Sequence, residues 1–308
     1  MTTSLSLYTP AGALQKAAPL RLAAKRLQAL GFDVSIDVDA LARTQRFAGD
    51  DATRLAAIHR VAKAAPDIAL ATRGGYGMTR LLDQLDWSLI AKSVEHGTRW
   101  VGQSDLTSLQ LGLLAHVKGS PITWAGPLAV DDFGRAAADG GMDDVTQDCF
   151  LEAMSGALEA LGFRCPEGFD GLEAKGQLWG GNLCVLTSML GTPHLPKIKG
   201  GILFLEDVAE HPYRVERMLL QLFQAGILDA QKAIVMGAFT DFRKVPSDRG
   251  YGLKQAIEAL RSRTQTPILT GLPFGHIRTK VCLPVGAKVE LAVQGRDCFF
   301  GWDHAHAH

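Results

Sequence analysis

The chain has 308 residues, of which 47% are hydrophobic and 21% charged, so it can bury a large core and is longer than one typical domain requires. Its 32 Lys and Arg residues balance its 32 Asp and Glu residues. This zero formal net charge argues against a nucleic acid or an anionic membrane surface as partner. We therefore expect two domains and a small ligand of mixed charge.

The N-terminal segment MTTSLSLYTPAGALQKA lacks the basic start and long apolar run of a secretory signal, and no stretch reaches the roughly 18 apolar residues of a membrane span. We expect a soluble, cytoplasmic protein. Five scattered cysteines without C-x-x-C spacing predict neither a disulfide framework nor a zinc site, and favour buried free thiols. The terminal His304, His306 and His308 favour a frayed terminus over a weak metal site.

In chain order, residues 1–130 alternate short β-like runs with helical patterns, which is typical of a parallel sheet covered by helices. The predicted strands are 4–8, 33–36, 67–71, 100–103 and 122–125. The predicted helices are 13–30, 51–64 with Asp50 or Asp51 as its cap, and 106–116 after Asp105. Such sheets bind ligands at the carboxyl ends of their strands.

Residues 131–175 open with a polar, glycine-containing stretch and continue with a helical pattern over 145–161, and we expect them to cross between domains. The rest of the chain has strand patterns at 201–205, 232–237 and 288–293 and a helix pattern at 213–226. The sequence thus predicts an α/β fold in three parts: an N-terminal parallel-sheet domain (1–135), a crossing segment (136–175) and a smaller C-terminal mixed α/β domain (176–308).

The sharpest local signal is R-W-V-G-Q-S-D-L-T-S-L at 99–109, where an apolar strand runs into Gly-x-Ser-Asp and then an amphipathic helix. A serine at such a turn exposes its hydroxyl above the sheet edge, and the next backbone N–H can stabilise an oxyanion. Ser104 is therefore a candidate nucleophile. Leu106 stands where the usual hydrolase turn has a second glycine, and the alternative is that Ser104 only caps the helix.

A second signal is the glycine loop T-R-G-G-Y-G-M-T-R at 72–80, again directly after a β-like run. Gly74, Gly75 and Gly77 allow a tight turn whose amides can bind an oxyanion, a carboxylate or a phosphate. The loop has neither a full G-x-G-x-x-G nor a Lys-Ser pair, so a nucleotide site is disfavoured. The alternative is a turn required only by packing.

A third signal is an apolar strand that ends in Glu206 and Asp207. Carboxylates at a strand end are costly to bury without a partner, so one of them can orient a histidine. Glu210, four residues further on, is a competing carboxylate that also reads as an exposed helix charge or dimer contact.

The fourth signal is L-P-F-G-H-I-R-T-K at 272–280, which places His276 in a turn held by proline and glycine. A lone loop histidine is more often an ordinary surface residue. The candidates nevertheless occur in the chain order Ser, Glu, His, one of the orders in which catalytic triads are built.

Together these segments resemble the LD-carboxypeptidase family, also called murein tetrapeptide carboxypeptidases, over nearly the whole chain. The resemblance rests on five blocks: RGGYGMTRLLDQLDW (73–87), VGQSDLT (101–107), GGNLCVLTSMLGTPHLP (180–196), GILFLEDVAEHPYRVERMLLQL (201–222) and LPFGHIRTKVCLPVGA (272–287). No single block would be specific, but five in the same order are.

The resemblance implies a serine peptidase with Ser104 as nucleophile, His276 as base and Glu206 as the third member of the triad. It also implies oxyanion amides at Asp105 and Gly75. Gln103 replaces an aromatic residue common in the family, which bears on the pocket rather than on the triad. Residues near the glycine loop are candidates for substrate binding, namely Arg73, Gly74 and Tyr76.

The implied substrate is the murein tetrapeptide, from which the terminal D-alanine is removed during peptidoglycan recycling in the cytoplasm. The resemblance also implies a homodimer, and the mechanism needs neither cofactor nor metal. Two alternatives stay open. One is an immunity-type serine peptidase that hydrolyses an aminoacyl-nucleotide antibiotic, and the other is a non-catalytic module that binds a small ligand. The identity of the third substrate residue is left open by the sequence.

Overall fold

The computed structural model describes residues 2–302, in which two sheets are built from alternating strands and helices. The strands are β1 (Ser4–Tyr8), β2 (Asp33–Ile36), β3 (Ile68–Ala71), β4 (Arg99–Gly102), β5 (Thr123–Ala125), β6 (Ala160–Arg164), β7 (Glu173–Asn182), β8 (Ile202–Val208), β9 (Ala233–Thr240), β10 (Ile268–Thr270), β11 (Leu283–Val285), β12 (Lys288–Gln294) and β13 (Asp297–Trp302). The α-helices are α1 (Ala17–Ala29), α2 (Asp51–Ala64), α3 (Trp87–Glu95), α4 (Thr107–His116), α5 (Asp144–Ser155), α6 (Leu183–Ser188), α7 (Pro212–Gln224) and α8 (Leu253–Arg261).

The first sheet has the strand order β2-β1-β3-β4-β5-β11. Its first five strands are parallel, and β11 joins the edge antiparallel through the register Leu283↔Ala125. The α/β class and the five N-terminal strand positions predicted from the sequence are confirmed. Apolar side chains that are buried on both faces, as in β3, explain why these strands could be found from composition alone.

Two helices of this half, α2 and α3, begin at aspartate caps. The Asp50 carboxylate accepts the Thr53 N–H at 2.8 Å and so caps α2 as predicted. Helix α3 was not predicted, although Asp86 caps it by accepting the Leu89 N–H at 2.9 Å.

The helix predicted over 145–161 is too long. Helix α5 ends at Ser155, because Gly156 takes a left-handed conformation with φ +81° and closes the helix. The chain then enters β6, where alternate side chains such as Leu161 and Phe163 are buried.

The second sheet has the order β10-β9-β8-β7-β12-β13-β6. Strands β7 to β10 are parallel, and β12, β13 and β6 extend the sheet antiparallel. One apolar cluster contains Trp100 and Leu106 from the first half together with Trp179 and Leu203 from the second. Because the two sheets share this core, their carboxyl strand ends are held in a fixed relation.

Four of the five cysteines are buried free thiols, as predicted, but Cys184 is exposed.

Candidate active site

Ser104 lies where β4 turns through the 3-10 segment Ser104–Leu106 into α4. Its φ of +65° is left-handed, which is unusual for serine and typical of a strained strand-to-helix turn. Gly102 closes the turn: a Cβ there would lie 2.6 Å from Leu106 Cδ2. Neither the 3-10 segment nor α4 has a side-chain cap bond, so Ser104 does not serve as a helix cap.

The glycine loop packs directly on this serine. A Cβ added to Gly74 would lie 2.6 Å from both Cβ and Oγ of Ser104 and 3.6 Å from the backbone nitrogen of Asp105. The Gly74 carbonyl accepts the Gly12 N–H at 3.1 Å, and since C=O and N–H of a trans peptide point in opposite directions, the Gly75 N–H points away from Gly12. Contact with the serine, rather than turn formation alone, therefore requires glycine at position 74.

Asp105 ties the glycine loop to the serine turn. Its buried carboxylate accepts the Met78 N–H at 2.7 Å. Burial raises the pKa of Asp105 to about 6, and the Met78 hydrogen bond opposes that shift. The side chain thus has a structural task, and the backbone N–H of Asp105 is the group beside Ser104.

Glu206 and His276 meet on the second sheet. Glu206 is fully buried near the carboxyl end of β8, where the pairing with β9 is irregular between Leu205 and Asp207. Its Oε2 lies 2.8 Å from His276 Nδ1. Gly275 has φ +132°, and a Cβ there would lie 3.1 Å from Glu206 Oε2, so the glycine before the histidine lets the two loops approach.

The pair determines the protonation of the imidazole. Burial acts to lower the pKa of His276, but the hydrogen bond to Glu206 and the charge of that carboxylate outweigh it, and the pKa is raised above its ordinary value. Neighbouring Asp207 is also buried, which raises its pKa to about 6. Glu210, the competing carboxylate, instead pairs with Arg214 at 3.6 Å.

Asn182 is a site residue that the sequence reasoning missed. Its Nδ2 donates to Glu206 Oε1 at 3.2 Å and to Asp207 Oδ1 at 2.9 Å, while its Oδ1 accepts the Val185 N–H and caps α6. The available signal was an Asn after Gly-Gly, directly before a helical pattern. The side chain holds the buried Glu206 from the side opposite His276.

Thr107 connects the nucleophile turn to this network. Its Oγ1 accepts the Asn182 N–H at 3.0 Å, and a Cβ at Gly181 would lie 2.5 Å from the same oxygen. Thr107 follows Ser104 by one helical turn, so the serine and the Glu206–His276 pair are joined through β7. Within residues 2–302, no hydrogen bond joins the Ser104 hydroxyl to His276, and such bonds often form only when substrate is bound.

Arg73 and Tyr76 belong to the glycine loop. Arg73 donates from Nη1 to the Ala13 carbonyl at 3.0 Å, whereas its buried Nε has no hydrogen-bond partner in the described range. Tyr76 is half exposed, with its ring 6.0 Å from the ring of Phe47 and 5.8 Å from the guanidinium carbon of Arg46. Arg73 therefore has one donor without a protein partner, and the Tyr76 ring is accessible to a ligand.

Among residues 2–302 there is no group of three or more His, Cys, Asp or Glu side chains placed to hold a metal ion. Within the same range, every helix is too short or too polar to cross a membrane. His304, His306 and His308 lie outside the described residues.

Comparison with known proteins gives consistent matches along the chain. Residues 5–123 match the LD-carboxypeptidase N-terminal domain, and residues 175–291 match the LD-carboxypeptidase C-terminal domain. A murein tetrapeptide carboxypeptidase of Pseudomonas aeruginosa is 30% identical, over 93% of this chain and 92% of its own.

Two further proteins, one a carboxypeptidase and one a self-immunity protein, are also similar to this chain. The crystal structure of a muramoyltetrapeptide carboxypeptidase from Oxalobacter formigenes is 39% identical and superimposes with a TM-score of 0.88, covering 97% of this chain and 98% of that one. The microcin C7 self-immunity protein of Escherichia coli is 26% identical over 73% of this chain and 72% of its own.

Proposed function

Because this chain belongs to the LD-carboxypeptidase family and is a serine-type carboxypeptidase, we propose that it removes the terminal D-alanine from murein tetrapeptide. In this proposal Ser104 is the nucleophile, His276 the general base and Glu206 the partner of the histidine. The observation that carries the proposal is the 2.8 Å contact between His276 Nδ1 and the fully buried Glu206. A buried carboxylate on Nδ1 leaves Nε2 free to accept a proton.

The first half-reaction forms an acyl-enzyme. His276 Nε2 takes the proton of the Ser104 hydroxyl as Oγ attacks the carbonyl carbon before the terminal residue. The carbonyl π electrons move onto oxygen, and the N–H groups of Asp105 and Gly75 stabilise that oxyanion. The imidazolium then protonates the departing amine, and the C–N bond breaks.

The second half-reaction regenerates the enzyme. Water loses a proton to His276 and attacks the ester carbon, and the C–Oγ bond breaks as Ser104 recovers its proton. The charge of Glu206 stabilises the imidazolium in both halves, consistent with the raised pKa of His276.

A carboxypeptidase must also bind the terminal carboxylate of its substrate. Arg73 is our candidate, because its Nε is buried without a partner while Nη1 fixes the side chain on Ala13. A guanidinium can bind a carboxylate through two parallel hydrogen bonds. Gly74 and Tyr76 form the adjoining wall of the proposed subsite.

The biological setting is a further part of the proposal. We place the reaction in peptidoglycan recycling in the cytoplasm and expect a homodimer. Light scattering of the purified protein should give about twice the chain mass of 33.1 kDa, and a monomeric mass at working concentration would contradict the dimer. Cell fractionation with a periplasmic marker tests the location.

The direct test of function is mass spectrometry of the tetrapeptide L-Ala-γ-D-Glu-meso-diaminopimelate-D-Ala after incubation with the wild type or with Ser104→Ala. We expect loss of one D-alanine with the wild type only. Ser108→Ala is the matched control, because Ser108 lies on α4 and its hydroxyl bonds to the Asp105 carbonyl. Cleavage by Ser104→Ala at the wild-type rate would refute the assignment of the nucleophile.

The same experiment separates the alternatives. The similarity to a self-immunity protein makes an aminoacyl sulfamoyl nucleoside the second substrate to test. Its hydrolysis, with the tetrapeptide left intact, would favour an immunity-type peptidase. If neither substrate reacts and a fluorophosphonate probe fails to label Ser104 in folded protein, a non-catalytic binding module is favoured.

A further inference from the structure

The π-helical turn Ala129–Phe133 lies beside the proposed site and has no part in the mechanism so far. The Val130 N–H donates to the Thr72 carbonyl at 2.8 Å, which fixes the turn against the start of the glycine loop. Single π-helical turns are rare in proteins overall, and those that occur are frequently found at functional sites. Two adjacent aspartates, Asp131 and Asp132, occupy this turn.

The two aspartates have different surroundings. Asp132 is buried, and its carboxylate accepts the Leu128 N–H at 2.7 Å and hydrogen bonds from Lys280 Nζ at 2.9 and 3.1 Å. Lys280 follows His276 by four residues, so this buried ion pair links the turn to the histidine loop. Asp132 is therefore a structural anchor with its charge matched.

Asp131 has no such partner. It is exposed to solvent, and within residues 2–302 its carboxylate accepts no hydrogen bond and forms no ion pair. Partial burial and the neighbouring charge of Asp132 raise the pKa of its carboxyl, and the charges of Arg73, Lys280 and His276 oppose that shift. A carboxylate without a hydrogen-bond partner thus lies within electrostatic reach of both the candidate carboxylate-binding arginine and the candidate base.

We propose that Asp131 is a specificity-determining residue that binds a cationic group on the substrate residue supplying the acyl group. This inference rests on the proposed carboxypeptidase function. The departing residue brings a carboxylate, and the α-nitrogen of the acyl residue is in a peptide bond. The cation must therefore come from the side chain of that residue, and a primary ammonium is the chemistry that matches a single free carboxylate.

The test compares three tetrapeptides that differ only in the third residue, which is lysine, norleucine or glutamate. For the wild type we expect kcat/KM for lysine to exceed that for norleucine by about tenfold to a hundredfold, the range of one charge-assisted hydrogen bond. Glutamate should react slowest because its charge repels Asp131. Asp131→Asn should bring the lysine-to-norleucine ratio close to one and narrow the gap to glutamate.

Two further variants separate binding from folding. Asp139→Asn is the matched control, since Asp139 is an exposed aspartate in the following 3-10 turn, Ala137–Asp139, and should leave the ratio at the wild-type value. Asp131→Glu retains the charge and should recover part of the preference for lysine. Recovery of the ratio separates a role in recognition from a merely structural one.

The outcomes are distinguishable. If the wild type cleaves lysine and norleucine peptides equally well, the inference is wrong while the carboxypeptidase function stands. If Asp131→Asn slows all three peptides by the same factor, Asp131 is structural and the inference is again wrong. If the folded wild type cleaves none of the three or the diaminopimelate tetrapeptide, the proposed function itself fails.

Discussion

Exchanging Glu206 for glutamine is the sharpest test of the proposed triad. The carboxylate now accepts from two donors, His276 Nδ1 through Oε2 and Asn182 Nδ2 through Oε1. An amide of the same shape has one acceptor and one donor, so it can satisfy only one of these neighbours. If its oxygen faces Asn182, its NH₂ faces Nδ1, and the imidazole carries its proton on Nε2, where it cannot take the serine proton.

The size of the expected loss of turnover follows from the hydrogen bonds around Glu206. Turning the amide to restore the productive tautomer places two donors against each other in a buried site, which costs about 1–3 kcal/mol. The productive arrangement is then populated in roughly one molecule in five to one in 150. Loss of the negative charge beside the imidazolium adds to this, and we expect kcat to fall on the order of 10³- to 10⁴-fold, as for triads in general.

The assay is the pH dependence of D-alanine release. Glu206 is the main cause of the raised His276 pKa, and in the variant burial and the charge of Lys280 lower that pKa, opposed only by the charge of Asp207. A general base must be neutral, so the acid limb of kcat/KM should move to lower pH. Glu210→Gln is the matched control, because Glu210 pairs with Arg214 and not with His276. Its kcat/KM should stay within about twofold of the wild-type value. A Glu206→Gln enzyme within tenfold of wild type, or an unmoved acid limb, would refute the reasoning.

Three further changes test the surroundings of the site. Gly74→Ala places a Cβ 2.6 Å from Ser104 Oγ and should lower turnover at least about 100-fold in a folded protein, whereas Gly162→Ala, whose Cβ would make only ordinary 3.8 Å contacts with Phe299, should not. Arg73→Ala should raise KM about tenfold to a hundredfold if it binds the terminal carboxylate, with kcat little changed; an unchanged KM would assign Arg73 to structure. The pKa of Asp105 is raised to about 6 in the fold, so stability should fall as pH rises from about 4 to 6. Asp105→Asn should remove about 2–3 kcal/mol of that loss, measured by urea unfolding at both pH values; an equal slope in both proteins would contradict this.

Much of the first sheet could be predicted because its signals are local. Strands such as β1 and β3 are short apolar runs bounded by turn residues, and parallel strands buried on both faces have this appearance. Strand β7 was missed for the opposite reason. Its sequence EAKGQLWGGN is half polar and rich in glycine, which lowers strand propensity. A Cβ at Gly180 would lie 1.9 Å from the Phe204 carbonyl oxygen. The glycine is therefore required by close packing against a residue that is distant in sequence.

The candidate site likewise has a part that local sequence predicts and a part that it does not. The turn at Ser104 could be found from residues 99–109 alone, because the strand, the glycine and the helix are consecutive. The partnership of Glu206 with His276 spans 70 residues, and composition could not choose between Glu206 and Glu210. That assignment came from the family resemblance, and the hydrogen bond to His276 now supports it on independent, geometric grounds.

The residues that escaped prediction are those that join the two sheets. Thr107 is one of many threonines in the sequence, yet its hydroxyl receives the Asn182 N–H and so connects the serine helix with the strand that holds Glu206. Lys280 acts similarly, since it joins the histidine loop to the π-helical turn through Asp132. A nucleophile on one sheet and its base on the other are useful only if such links keep them in register. The precision of this site therefore depends on buried polar contacts between the two halves as much as on the triad side chains themselves.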